Sequence, residues 1–154
     1  MITLVVAINN TRTIGLDGKM PWHNPEDFQH FKNYTMHKTL LMGRKTYEGL
    51  PKKLHGRNIL VVTRQADYEG AVLDLNNFLE THQNTPEEII VAGGGEIYQI
   101  AMDYAEKIVL SIIDNDVKGD TFFPEIDPTQ FEVEETKQYE TFKCITYTRK
   151  EEMV

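Results

Sequence analysis

One cysteine, one tryptophan and few basic residues mark what this 154-residue chain lacks. A lone Cys144 excludes an intramolecular disulfide and a cysteine-based metal cluster, and it reads as a small buried hydrophobe in a strand. No apolar run approaches the roughly 20 residues of a membrane helix. The N-terminal ITLVVAI is seven residues long. It has neither a basic n-region nor a small-residue cleavage site, so it reads as a strand rather than a signal peptide, and a cytoplasmic protein is expected. Against 24 acidic residues stand 16 basic ones, for a net charge of -8 with no basic stripe. That balance argues against nucleic acid and anionic membrane surfaces as partners. The five histidines (His23, His30, His37, His55, His82) lack HExxH or similar ligand spacing, and no metal is expected.

What is present suffices for one core. A chain of this size buries about 70% of its unfolded surface, and one domain over residues 1–154 is expected. Residues 2–8 form a solid apolar run, as in a central strand buried on both faces. Residues 9–22 have no sustained period, contain Gly15 and Asp17-Gly18, and predict a long irregular loop. Loops beyond about 12 residues are usually functional, often lids. Further strands are predicted over 39–43, 58–63, around Val72, over 88–92 and over 108–113, with helices after Asn24, after Gly43, over 75–81 and from about Glu96. Partial alternation over 131–136 and 142–149 predicts a terminal antiparallel pair. The sum is an α/β fold: a mostly parallel eight-stranded sheet with an antiparallel C-terminal strand at its edge, and about four flanking helices. Ligands of such sheets bind beyond the carboxyl ends of the strands, where the lid loop, Gly43 and Gly93 fall.

Three stretches carry candidate chemistry. In MPWHNPEDFQHFK, residues 20–32, Asn24 and Pro25 read as N-cap and first helical residue. At roughly 100° per residue, Phe28, Phe31, Tyr34 and Thr35 share one face and Gln29, His30 and Asn33 the other. Glu26 falls on the solvated side. Asp27 falls on the apolar side, one turn before Phe31, where a carboxylate must find donors or shift its pKa. Asp27 also stands at N3, where it could close a capping box with Asn24, although Asp is short for that reach. In GRKTYEGL a glycine turn enters a short helix beside Arg44, Lys45 and Thr46, an arrangement suited to a phosphate and also common as plain structure. Basic residues gather twice: Arg44, Lys45 and Arg64 with Thr63 after two strand ends, and Lys32, Lys52, Lys53 and Arg57 near the far end of the Asp27 helix. Two anion sites would explain the grouping. In AGGGEIY, three glycines suit close backbone approach to a ligand. Tyr98 stands where a dinucleotide GxGxxG fingerprint needs Gly or Ala.

In register, MPWHNPEDF, MGRKTYEGLP, HGRNILVVT, AGGGEIY and GDTFFP closely resemble the bacterial dihydrofolate reductase family, over nearly the whole chain. The resemblance implies hydride transfer from NADPH to C6 of a dihydropterin, giving tetrahydrofolate. It casts Asp27 as the acid that bonds the pterin N3 and 2-amino group and promotes N5 protonation through water, beneath a lid containing Met20 and Trp22. It implies that Phe31, Leu50 and Leu54 pack on the substrate rings, with Val5, Val6, Phe28, Lys32, Ala92 and Ser111 around them, and that Arg57 clamps a glutamate carboxylate. For the cofactor it implies Ala7, Ile14, Gly15, Gly43, Arg44, Lys45, Thr46, Thr63, Arg64, Gln65, Gly93, Gly94, Gly95, Glu96, Ile97, Tyr98 and Thr121. Among these, Arg44, Thr46, Thr63 and Arg64 would meet the phosphates and favour NADP over NAD, and Gly93 and Gly94 would share a cis peptide. Asp120 would hold the lid closed. The implied partners of a monomer are dihydrofolate, folate and antifolate inhibitors.

Two departures carry expectations. Ala92 replaces a larger residue, which should weaken trimethoprim-like binding by about 1–2 kcal/mol. Glu96 stands where some relatives carry a base, which should lower NADPH affinity. Rival readings are a reductase of similar fold acting on another pterin or pyrimidine, as in riboflavin synthesis, and a noncatalytic folate or nucleotide binder. Turnover separates them from the first reading.

Overall fold

Strand β1 (Ile2–Asn9) sits inside the main sheet because nearly every residue of it is apolar and buried. The computed structural model describes residues 1–17, 19–50 and 54–150. Gly18 of the expected lid turn and the basic pair Lys52 and Lys53 lie outside the described residues. After β1 come β2 (Thr13–Gly15), α1 (Pro25–Thr35), β3 (Thr39–Gly43), α2 (Arg44–Glu48), β4 (Asn58–Val62), β5 (Ala71–Val72), α3 (Leu75–His82) and β6 (Ile89–Val91). The chain continues through α4 (Gly95–Ala101), β7 (Lys107–Ile113), β8 (Thr121–Phe122), β9 (Phe131–Gln138) and β10 (Phe142–Arg149).

The main sheet runs β5-β4-β3-β6-β1-β7-β10-β9. β1 pairs in parallel with β6 and β7, β3 with β4 and β6, and β4 with β5. In this sheet β10 alone runs against the other strands, pairing antiparallel with β7 and β9. The mostly parallel eight-stranded sheet and four helices are as expected, with one refinement. The antiparallel strand stands one place in from the edge, and β9 takes the edge itself.

The alternation of β1 builds two cores. Leu4, Val6 and Ile8 pack with Leu41, Leu79, Tyr98 and Ile108 on one face. Val5 packs with Leu40, Met42, Ile90, Val109 and Cys144 on the other. Such alternation is the period-2 rule applied to a strand with no solvent face. Cys144 is 6% exposed in β10, the small buried hydrophobe expected, and burial raises its thiol to about 11.

The stretch from Asn9 to Trp22 is more ordered than an irregular loop. Asn9 still belongs to β1, and β2 pairs antiparallel with β8 in a separate two-stranded sheet. Local period does not reveal this, because a three-residue strand shows no pattern without its partner more than 100 positions away. Among the described residues no helix is long and apolar enough to cross a membrane.

Leu41 is fully buried in the first core, and its carbonyl accepts the N–H of Ala92. Leu41→Ala should destabilise the fold by about 2–5 kcal/mol through lost transfer energy and a residual cavity. Urea unfolding would read this as a lower midpoint at unchanged slope.

Candidate active site

Helix α1 delivers the acid. The Asn24 side chain accepts from the Asp27 N–H at 2.9 Å, and Pro25 takes the first helical position. Asn24 therefore makes the cap. Among the described residues the Asp27 carboxylate returns no bond to the Asn24 backbone, so the capping-box alternative is not realised. The carboxyl is largely withdrawn from water on the side of buried Ser111 of β7. Burial raises the Asp27 pKa, while the Ser111 hydroxyl and the charge of His30 pull it back in part and Glu26 adds to the rise. A half-compensated acid of this kind takes up and releases a proton in response to what lies beside it.

Around Asp27 the structure gathers Val5, Ala7, Trp22, Phe31, Leu50, Leu54 and Ala92 into one apolar cluster. Val6, expected beside Val5, turns its side chain to the opposite core with Ile8 and Tyr98, as alternation requires. Phe28, placed on the apolar face by periodicity, is 37% exposed at the rim, stacked on Phe31 at 6.4 Å with Lys32 over its ring at 5.0 Å. Met20 is 54% exposed. Trp22 has a buried indole N–H without a hydrogen-bond partner among the described residues, a donor directed into the cleft wall.

Arg57 is held from three sides. Its Nε donates to Thr35 Oγ1 at 2.9 Å, and its two terminal nitrogens donate to the carbonyls of His55 and Lys32. A guanidinium has five N–H donors in a rigid fork. With these three committed, one N–H remains on each terminal nitrogen, the pair that grips a carboxylate bidentately.

Beside the cleft lies a shelf of bare backbone. The Gly43 N–H donates to the Gly93 carbonyl at 2.9 Å, and Gly93-Gly94 is a cis peptide. A Cβ on Gly94 would come within 3.3 Å of Thr46 Oγ1, and one on Gly95 within 2.8 Å of Thr121 and 3.8 Å of Ile14. A side chain at Gly95 would force Thr121 to shift, and one at Gly94 would crowd Thr46. A Cβ on Gly15 would meet Thr121 at 3.4 Å and one on Gly43 would meet Ile97 at 3.5 Å, both ordinary contacts. Tyr98 is buried and donates its hydroxyl to the Val5 carbonyl at 2.8 Å, while Glu96 is exposed in the first turn of α4. At the outer end, β3 and β4 finish side by side with Gly43 opposite Val62. Arg44 and Lys45 therefore neighbour Thr63, Arg64 and Gln65. Thr63 accepts the Gln65 N–H at 3.2 Å, and Arg44 pairs loosely with Glu48 at 3.5 Å. A glycine shelf that ends in cations and hydroxyls could hold a phosphorylated dinucleotide, with Arg44, Thr46, Thr63 and Arg64 as the candidate phosphate partners. Among the described residues no group of three or more His, Cys, Asp or Glu is gathered to hold a metal.

The lid is tied to a second loop. Asp17 N–H donates to the Asp120 carboxylate at 3.0 Å, and Asp120 N–H donates to the Gly15 carbonyl at 3.0 Å. Beneath them the buried Asn9 accepts from Thr11 and Thr13 and donates to the Val117 carbonyl at 2.6 Å, binding both loops to the end of β1. A polar residue closing a buried run was the available signal for Asn9.

One position of α1 differs from expectation. Glu26 is on the solvated side as expected, and there it accepts from Thr141 N–H at 2.8 Å, Thr141 Oγ1 at 2.6 Å and Glu140 N–H at 3.3 Å. His30, expected on the polar face, is half-buried against Tyr139 and Phe142. Both meet the turn between β9 and β10, which no reading of α1 alone would place there.

A family model described as dihydrofolate reductase matches residues 1–151. The dihydrofolate reductase of Neisseria gonorrhoeae is 43% identical over 152 residues, covering 96% of this chain and 94% of that protein. That of Enterococcus faecium is 42% identical over 128 residues, covering 79% of this chain and 77% of that protein. A solved structure, dihydrofolate reductase from Enterococcus faecalis complexed with NADP(H) and RAB-propyl, superposes with a TM-score of 0.85 at 30% identity, covering 98% of this chain and 97% of that one. Sequence and fold thus agree along almost the full length, and the chain belongs to the dihydrofolate reductase family.

Proposed function

We infer that the chain reduces 7,8-dihydrofolate to 5,6,7,8-tetrahydrofolate with NADPH as cofactor. The observation that carries the reading is Asp27: a carboxyl withdrawn from water on the helix that lines an apolar cluster beside a glycine shelf. When bound, the cofactor supplies a hydride for C6 of the pterin. The protein's residues align, dry and protonate. Asp27 takes the pterin's N3 and 2-amino edge. Because that edge is remote from N5, the proton for N5 arrives by water under the lid, favoured by the nearby negative charge. Phe31, Leu50 and Leu54 pack on the substrate rings, and the two remaining N–H groups of Arg57 hold a glutamate carboxylate. Ala92 beside the shelf and exposed Glu96 keep the expectations of looser inhibitor packing and weaker cofactor binding within this reading.

The same proposal covers assembly and setting. The chain works as one domain and as a monomer on small molecules, and its net charge of -8 repels polyanions. With Cys144 buried, nothing in the chemistry requires an oxidising compartment, and the cytoplasm suits it.

Dihydrofolate-dependent loss of NADPH absorbance tests the activity. Asp27→Asn should lower turnover by about 10²–10⁴-fold, most severely at high pH, where dihydrofolate is unprotonated. Tight binding of both ligands by the parent without turnover would instead indicate a binding module. The same variant should be more stable than the parent at neutral pH. The raised Asp27 pKa means that ionisation opposes folding, so the stability linked to the neutral carboxyl is complete below the unfolded-state pKa and is lost as pH rises through the folded one. Thermal unfolding across pH should show the advantage of Asp27→Asn at pH 7 and its disappearance near pH 3. Arg57→Lys should raise KM for dihydrofolate by about 10–100-fold with little change in kcat, as expected for loss of one charge-assisted bidentate contact.

A further inference from the structure

The turn between β9 and β10 touches α1 at two points, and the chemistry above uses neither. At the first, the Glu26 carboxylate spans two consecutive N–H groups of the turn: Oε1 accepts from Thr141 N–H at 2.8 Å and Oε2 from Glu140 N–H at 3.3 Å. Thr141 Oγ1 lies 2.6 Å from the same Oε1 and 3.1 Å from Asn24 Oδ1, so its single proton has two acceptors, of which the charged one is nearer. Asn24 Oδ1 is also the cap that accepts the Asp27 N–H at 2.9 Å. At the second point, one helical turn on, the His30 ring is set edge-on to Tyr139 at 5.3 Å and tilted against Phe142 at 5.6 Å. Tyr139 and Phe142 stack on each other at 4.5 Å, and Tyr139 N–H donates to the Phe142 carbonyl at 2.8 Å, which makes the turn a compact unit.

Positions 26 and 30 are i, i+4 neighbours on one row of the helix, and Asp27 stands on the next row round. A helix pinned along one row has a fixed rotation about its axis, and that rotation decides where its other side chains point. We propose that Glu26 is a positioning residue for the pterin site: by gripping Thr141 and Glu140 it locks the rotation of the first turn of α1, which aims Asp27 at the substrate. The proposal rests on the reading of Asp27 as the pterin acid. Two features separate this grip from an ordinary surface bond. Two of its three donors are backbone N–H groups, which cannot swing away as a lysine would. The turn also issues into β10, which pairs with β7 so that Cys144 stands opposite Ser111 and Phe142 opposite Ile113. The helix that carries the acid and the strand that carries Ser111 are thus referenced to the same hairpin. The Thr141 hydroxyl, and then its N–H, hold the Glu26 pKa below its ordinary value, so the gripping group is a full carboxylate at neutral pH.

Three variants test it. Glu26→Gln removes the charge and turns an NH2 toward one of the donors, Thr141→Val removes the hydroxyl, and Thr141→Ser keeps it. With dihydrofolate, kcat/KM should fall about tenfold in Glu26→Gln and in Thr141→Val and stay at the parent value in Thr141→Ser. The Kd for NADPH, whose shelf is built from other elements, should not move. Because both changes break one contact, Glu26→Gln combined with Thr141→Val should lose no more than the larger single loss. A bond that only stabilised the fold would lower Tm and leave kcat and KM of the folded variants as in the parent, and that result overturns the proposal. Amide hydrogen exchange supplies a readout that needs no substrate. The N–H groups of Asp27 and Phe28, both bonded to Asn24, should exchange faster in Glu26→Gln and in Thr141→Val, and unchanged protection overturns the proposal. Should Glu26→Gln fail to fold, Thr141→Val decides alone on the same two measurements. A parent that does not turn over dihydrofolate would remove the pterin-acid reading, and the positioning role with it, while faster exchange in the variants would still show the grip, so the two failures are distinct.

Discussion

A carboxylate taken out of water without an ion-pair partner costs the fold free energy, and the rest of the site is arranged around keeping it there. Asp27 is held by position rather than by a counter-ion. The Asn24 cap fixes the start of α1, Glu26 fastens that start to the β9–β10 turn, and the sheet opposite presents Ser111 at a register set by β1, β7 and β10. A full salt bridge would have satisfied the group and silenced it. Partial satisfaction leaves its charge responsive to a ligand, which is what a pocket acid requires.

Much of this could be read from residues alone. The buried run of β1, the strand–helix alternation and the Asn24-Pro25 cap are local patterns with one physical meaning each, and the structure follows them closely. Asp27 and the glycine shelf were legible for the same reason: an acid on an apolar face and three successive glycines are both locally anomalous. The misses share a different cause. His30 was assigned to the polar face by helix periodicity, which shows the faces of a helix but not what arrives to cover them. The turn that does so lies more than 100 residues away along the chain. β2 escaped for the same reason, being defined wholly by β8. Val6 shows the reverse, since simple alternation already separates it from Val5, and shared membership of a motif gives no information about which way a side chain points.

Asn9 joins the two halves of this picture. Seated at the carboxyl end of a buried strand, it satisfies backbone groups of the lid and of the loop preceding β8 at once. The stretch that follows β1 is therefore anchored at its root to the centre of the sheet, and Asp17 and Gly15 tie it again to Asp120 further on.

The two ends of the sheet have a bearing on crowding. At one end β5 is only two residues long, too short a template for another chain. At the other, β9 exposes Glu132, Glu134 and Glu135 along an otherwise open row of hydrogen-bonding groups. A second copy docking there would bring like charges together at strand spacing, about 4.8 Å. The edge strand thus carries an electrostatic fence: it completes the sheet inward and sets a run of carboxylates against extension outward.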